Sequence, residues 1–396
     1  MTSCSIHDIY LFLGCNEMLD FLRRLFRPSV EPMNRIHIDK KNLIHNYKQL
    51  QSIQPQATFF PVIKSNAYGH GIKQVIQCLD WLDFPYYVVD SYPEYMLVKK
   101  YSQKNILLLG ETLPQNYKRF DHRRTTFCVF NIDAIKAIAK LKRKSTIHLF
   151  FNTGMHREGI DINQIQDALD IISKYKHLTL EWVLSHLHSA DDLWTESVDQ
   201  QIATFKSMYY KILDAGITPT YRYIGNSAWL LKIQDDFFNA YRPWLALYGY
   251  NPLLPSDEFF DKGRKLKPAL EVHSTIIAIQ QLAPGHGVSY NYKRKTTTGT
   301  TAIIIPFGYA EWYSRSMSSS IAVRRKNTTL QQVGTITMNL GCIDAQDNNV
   351  RLGDKIQVIS SNPDHPNSIY ALSKAANTIP YEILVKIDPK IRREVI

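Results

Sequence analysis

Between residues 58 and 250, eight short apolar runs rich in β-branched and aromatic residues alternate with longer stretches of helical period. Few architectures accommodate that rhythm. A strand followed by a helical crossover returns to a parallel neighbour, and eight such units close a barrel whose functional residues gather at the C-terminal strand ends. The runs centre on residues 59–64, 86–90, 106–109, 126–130, 147–152, 180–186, 221–225 and 245–250. After Pro268 the pattern changes: 272–279, 301–306 and 355–360 read as strands separated by Gly-containing turns, with few helical segments. The expected fold class is therefore α/β, an N-terminal TIM (β/α)8 barrel with a C-terminal mostly-β domain. Lys262, Gly263, Arg264, Lys265 and Lys267 form a polar join, which divides the chain into an extension at 1–33, a barrel at 34–267 and a β domain at 268–396.

Composition narrows the function classes. The formal charge of +11 invites a nucleic-acid reading, but the basic residues occur in short dispersed groups such as Lys142, Arg143 and Lys144, with no basic-aromatic stripe. They read as a solvated surface. Five cysteines (Cys4, Cys15, Cys78, Cys128, Cys342) lack CxxC or other ligand spacing, which speaks against a disulfide framework and against a metal site and fits a reducing cytoplasm. No apolar run approaches the roughly 18 residues of a membrane span, and the first apolar block, 9–14, follows Asp8 rather than a basic stretch, unlike a secretory signal. Met18, Leu19, Leu22, Leu25 and Phe26 at helical spacing beside Arg23, Arg24 and Arg27 are read as an extension packed on the domain or loosely ordered, not a membrane-surface helix. The folded part is expected to start near Met33 and the amphipathic stretch 36–50.

Chemistry concentrates in Val62-Ile63-Lys64-Ser65-Asn66-Ala67-Tyr68-Gly69-His70-Gly71, where a lysine ends the first barrel strand and a glycine-punctuated loop follows. An amine is a nucleophile only when unprotonated, and partial desolvation at a barrel mouth favours that form, so a lysine here suits Schiff-base chemistry. Taken alone, the same residue is more simply a solvated lysine beside a turn.

That decapeptide resembles the cofactor-lysine signature of alanine racemases. Further segments extend the similarity from about residue 34 to the C-terminus: Asn152-Thr153-Gly154-Met155-His156-Arg157, Ser185-His186, Asn226-Ser227-Ala228, Arg242 through Gly249, Val288-Ser289-Tyr290, Gly308-Tyr309-Ala310, Met338 and Tyr381-Glu382. The resemblance implies pyridoxal 5'-phosphate held covalently by Lys64, with Lys64 and Tyr290 as two catalytic bases. Inversion needs two, because a single base returning its own proton regenerates mostly the same enantiomer. It implies that Tyr68, Ser227 and Tyr381 bind the cofactor phosphate with backbone amides around Trp244 and Leu245, that Arg157 contacts the phenolic oxygen and the substrate, and that His186 faces the pyridine ring beside Arg242. An arginine opposite the ring nitrogen can only donate, leaving that nitrogen unprotonated and favouring simple reprotonation over transamination. Tyr309 and Met338 are implied at the substrate, with Asp191 and Arg315 near the entrance. A homodimer is implied, in which Tyr290 acts in the partner's active site. The small-molecule partner is an amino acid, with no nucleic acid and no membrane involved.

Five positions depart from the pattern. Phe150 stands where many members carry a lysine that becomes carbamylated and orients the arginine, Thr335 replaces an arginine, Asn339 an aspartate, and Glu311-Trp312 an aspartate-glycine pair. The expected activity is interconversion of L- and D-alanine, feeding peptidoglycan synthesis. A racemase of another or several amino acids and a non-catalytic pyridoxal-phosphate binder remain alternatives.

Overall fold

Arg35–Ile38 forms the first strand (β1), and Asp39 then caps helix Lys40–Ile53 by accepting from the Asn42 amide at 2.9 Å. Leu43, Asn46, Tyr47 and Leu50 place that helix's buried face at three- and four-residue spacing. The structure, a computed structural model, describes residues 30–192, 195–232, 235–292, 294–346 and 349–396. The amphipathic stretch at 18–26 lies outside the described residues. No helix among them is long and apolar enough to cross a membrane.

Eight parallel strands follow: β2 (Thr58–Phe59), β3 (Tyr86–Val89), β4 (Asn105–Leu108), β5 (Thr125–Val129), β6 (Ser145–Phe150), β7 (Leu178–Leu184), β8 (Tyr221–Tyr223) and β9 (Ala240–Tyr241). β3 to β8 pair in consecutive order and β2 pairs with β9. The two sheets are stitched into a ring. Ile63 donates to the Val88 carbonyl at 2.9 Å on one side, and Asn239 to Arg222 at 3.2 Å on the other. Between strands run helices such as Ile72–Leu79, Ile132–Lys140 and Ile165–Lys174; only a 3-10 turn, Pro114–Arg119, joins β4 to β5. The expected barrel is present.

The barrel interior is aromatic. Trp182 stacks on Phe60 at 4.2 Å and meets Tyr86 and Tyr221 edge-on, each at 4.6 Å, with His148 at 3.6 Å. This plug beneath the strand ends is a packed floor on which a site can be built.

One expected strand is not where the apolar run stands. Residues 245–249 form turns, with Leu247 bonded back to Trp244 and Tyr248 to Leu245, and the eighth strand is the shorter β9 upstream. A short apolar run cannot distinguish a buried strand from a buried helical turn by period alone, and Pro243, with no N–H, ends the ladder.

The second layer is a nine-stranded sheet in the order β11-β12-β15-β14-β13-β16-β10-β1-β17. Its strands are β10 (Leu270–Thr275), β11 (Ala278–Leu282), β12 (Thr300–Ile305), β13 (Ala322–Arg325), β14 (Thr328–Val333), β15 (Gly341–Gln346), β16 (Lys355–Ile359) and β17 (Arg392–Val395). The start expected for the barrel therefore needs correcting: β1 lies in this sheet, antiparallel to β10 with Ile36 opposite Val272 and parallel to β17. A strand with Ile36 and Ile38 fully buried needs ladder partners on both edges, and these come from residues more than 200 positions away.

Candidate active site

The residues after β2 form a left-handed turn. Ser65, Asn66, Ala67 and Tyr68 have φ between 50° and 53°, in a conformation that costs roughly 1–2 kcal/mol per non-glycine residue. Several bonds hold it. The Ser65 amide donates to Glu94 at 2.6 Å, the Gly71 amide to the Asn66 carbonyl at 2.9 Å, and Arg393 of β17 donates through Nε to the Gly69 carbonyl at 2.8 Å. His70, fully buried, donates from Nδ1 to the Tyr68 and Ala67 carbonyls and stacks on Tyr248 at 4.3 Å. Burial pushes its ring down to about 3, which keeps it neutral. Gly69, at φ +79, sits so close to the Leu384 carbonyl that an added Cβ would lie 2.1 Å from it. Strain concentrated at one loop marks a functional position.

The turn delivers Lys64 to a cavity of about 410 Å³ at the C-terminal strand ends. Asp90 follows β3, Phe150 ends β6, His186 follows β7 and Arg242 follows β9; Tyr68 and Tyr381 also line the wall, the latter from helix Pro380–Lys386. Lys64 Nζ donates to Asp90 at 3.3 Å. Arg242 is almost wholly buried, gives Nη2 to the Ser185 carbonyl at 3.1 Å, lies over the Tyr223 ring at 5.1 Å, and its Nε has no acceptor among the described residues. Burial, reinforced by Arg242, Arg157 and Lys64, pushes His186 down to about 3, so its imidazole is neutral. Ser227, just after β8, accepts through Oγ from the amides of Trp244 at 3.0 Å and Ala246 at 3.2 Å. Burial raises the Tyr68 and Tyr381 phenols, which stay protonated donors.

The sequence-based site thus divides in two. Lys64, Tyr68, Arg157, His186, Arg242 and Tyr381 share this wall, with Ser227 directly behind it. Tyr290, Tyr309 and Met338 do not line this cavity; they lie in the loops that follow β11, β12 and β14, with exposures of 63, 43 and 57%. Their segments are tied together, since the Tyr309 amide donates to Thr337 at 3.1 Å and Thr335 Oγ1 to the Tyr290 carbonyl at 3.1 Å. Thr335 is therefore a buried support for the Tyr290 turn. Asn339 donates to Glu311 at 3.2 Å, while Asp191 and Arg315 are exposed outside the Lys64 cavity. Trp312 has φ +121, a conformation natural to glycine; its ring is nonetheless buried and stacked on Tyr313 at 6.0 Å.

Two carboxylates on the cavity wall, Asp90 and Glu158, escaped the sequence reading. Asp90 was findable, because it closes a barrel strand as Lys64 does. Glu158 adjoins Arg157, and only its folded direction shows that it faces the cavity. Away from the cavity, His37, Glu271 and His273 converge on β1 and β10 as potential metal ligands. Glu271 already accepts from His273 at 3.1 Å and Ser361 at 2.5 Å, so the cluster is a satisfied polar network of the sheet.

A barrel that assembles a lysine, a buried arginine and a hydroxyl-bearing cradle at its strand ends, with Tyr381 from the C-terminal part of the chain on the same wall, defines a class of barrel protein. The alanine racemase N-terminal domain matches residues 38–252, and the alanine racemase C-terminal domain matches residues 269–395. The chain belongs to the alanine racemase family, whose members are amino-acid isomerases. It is 28% identical over 375 residues to an alanine racemase of Francisella philomiragia, covering 92% of this chain and all of that one. Alanine racemase of Clostridium difficile superposes with a TM-score of 0.86 at 26% identity, covering 93% and 97%. The fold is also that of a Bartonella henselae alanine racemase with covalently bound pyridoxal phosphate, TM-score 0.80 at 23% identity, covering 92% and 100%.

Proposed function

We propose that this protein interconverts L- and D-alanine with pyridoxal 5'-phosphate held at Lys64. The carrying observation is the buried Arg242 Nε with no acceptor among the described residues, on the same wall as Lys64 and beside Trp244, whose amide donates to Ser227. These residues fit the cofactor: hydroxyls of Ser227, Tyr68 and Tyr381 and the Leu245 amide suit phosphate oxygens, while the amides at 244 and 246 fix the Ser227 hydroxyl, and a buried guanidinium donor suits a ring nitrogen lone pair. Pyridoxal phosphate, when bound, supplies the electron sink that makes an amino-acid Cα–H acidic.

Lys64 would hold the group through its Nζ, and the same amine is the base placed to move the Cα proton on one face. Arg242 donates without giving up its proton, which limits charge delocalisation and favours return of the proton to Cα. Arg157 orients an anionic oxygen of the ligand. The second base is Tyr290 of the partner subunit. This part of the reading is supported by the exposure of Tyr290, Tyr309 and Met338 on linked loops that do not line their own chain's cavity. The enzyme is thus read as a homodimer, divided into an extension at 1–33, a barrel at 34–267 that has lent β1 to the sheet, and a β domain at 268–396. We place it in the cytoplasm, supplying D-alanine for peptidoglycan. Thr335, Asn339 and Trp312, on those same loops, favour a second reading in which another amino acid is the preferred substrate.

The test is a visible absorbance spectrum of the protein with its cofactor, then chiral assays starting from L-alanine and from D-alanine. Lys64→Ala should abolish both signals; Tyr290→Phe should keep the absorbance and slow racemisation at least about 100-fold. Absorbance without turnover of alanine, but with turnover of another amino acid, would select the second reading.

A further inference from the structure

Glu158 follows Arg157 on the cavity wall and accepts from it at two points, Oε2 from Nε and Oε1 from Nη2, the latter at 2.5 Å. The side chains are 56% exposed for Arg157 and 23% for Glu158. The acid is the more enclosed partner, a seat for the arginine rather than a solvated counterion.

Its backbone is held. Asn152 Oδ1 accepts from the amides of Gly154 at 3.2 Å and His156 at 3.1 Å, and its Nδ2 donates to Asp161 at 2.8 Å. Gly159, at φ +121, lets the loop fold back so tightly that a Cβ would lie 2.5 Å from the Asn152 nitrogen. Behind the pair, the Phe150 ring meets Phe130 edge-on at 5.2 Å and offers the guanidinium no acceptor. The other carboxylate of the wall, Asp90, engages Lys64.

A guanidinium has five N–H donors in one plane. Glu158 takes the Nε hydrogen and one on Nη2, which leaves both Nη1 hydrogens and the second on Nη2. Those form a second fork, matched to a carboxylate or phenolate oxygen. We propose that Glu158 is a positioning residue that clamps the Nε edge of Arg157, so that the opposite edge meets the anionic oxygen of the bound ligand in one orientation. The identity of that ligand rests on the racemase reading; the clamp itself does not. The same bonds hold the Arg157 guanidinium above its ordinary value, so it stays charged as the ligand arrives.

The experiment compares wild type, Glu158→Leu and Glu158→Asp, using propionate as a carboxylate probe. Readouts are propionate affinity by calorimetry, KM and kcat for alanine, and the Arg157 Nε–H resonance in ¹⁵N-arginine-labelled protein, assigned with Arg157→Lys. Glu158→Leu is expected to weaken propionate binding and raise KM about tenfold each, to leave kcat within about twofold, and to erase the slowly exchanging Nε–H signal. Glu158→Asp should recover part of the affinity. Unchanged propionate affinity and KM in Glu158→Leu would overturn the clamp. If wild type fails to racemise alanine, the functional reading falls, whereas loss of propionate affinity and of the Nε–H signal in Glu158→Leu still supports the clamp.

Discussion

His70 links the strained lysine loop to a measurable acid sensitivity. In the fold its imidazole is fully buried and stays neutral down to about pH 3, whereas in the unfolded chain it protonates below its ordinary 6.5. Between those values the unfolded state holds the extra proton, so stability falls as pH falls. The loss is about 1.4 kcal/mol per pH unit once the unfolded imidazole is fully charged, or roughly 2 kcal/mol between pH 7 and pH 5. His186, also held near 3, should add a similar amount. Glu271, depressed to about 2 chiefly by its His273 hydrogen bond, acts in a lower window: its contribution is present above its ordinary 4.5 and fades only below that, so it does not blur the comparison. His70→Asn keeps a donor for the Ala67 and Tyr68 carbonyls and removes the titration. Urea unfolding at fixed protein concentration, at pH 7, 6 and 5, should show wild type losing about 2 kcal/mol more than the variant over that range. Equal losses would refute the assignment of a neutral buried His70.

Gly69→Ala places a Cβ against the Leu384 carbonyl at a left-handed φ, and should cost about 2–5 kcal/mol from backbone strain and overpacking, read as a lower urea midpoint at unchanged slope. The same variant should weaken cofactor retention, because Lys64 and Tyr381 flank that contact. If the active site is shared between two chains, mixing and reassociating inactive Lys64→Ala with inactive Tyr290→Phe should restore about a quarter of wild-type activity, since half the dimers are mixed and each carries one intact site. No recovery after verified exchange would place Tyr290 outside the partner's site.

Much of the site was legible in the sequence because barrel chemistry sits where strands end. Lys64 and His186 each close an apolar run, so pattern and position pointed the same way, whereas Arg242 precedes the run read as the eighth strand and was reached through the family resemblance. The eighth run misled, because buried turns and buried strands are equally apolar. Trp312, which stands where the resemblance has glycine, is accounted for only in the fold, which shows both the glycine-like backbone it occupies and the buried stacking of its ring on Tyr313.

The sequence by itself determined the alternation that closes the barrel, the change to a β domain near Pro268, and the identity of the lysine, arginine and tyrosines on which the functional reading rests. These are local properties, carried by the spacing of apolar residues and by motifs a few positions long. Only the tertiary structure decided that β1 crosses into the second sheet, that the lysine loop winds left-handed before Gly69, that Glu158 seats Arg157, and that Tyr290 is exposed and does not line its own chain's cavity. Each of these depends on contacts between residues distant in sequence or on the direction a side chain takes once the backbone is packed, and neither has a period that a linear pattern can carry.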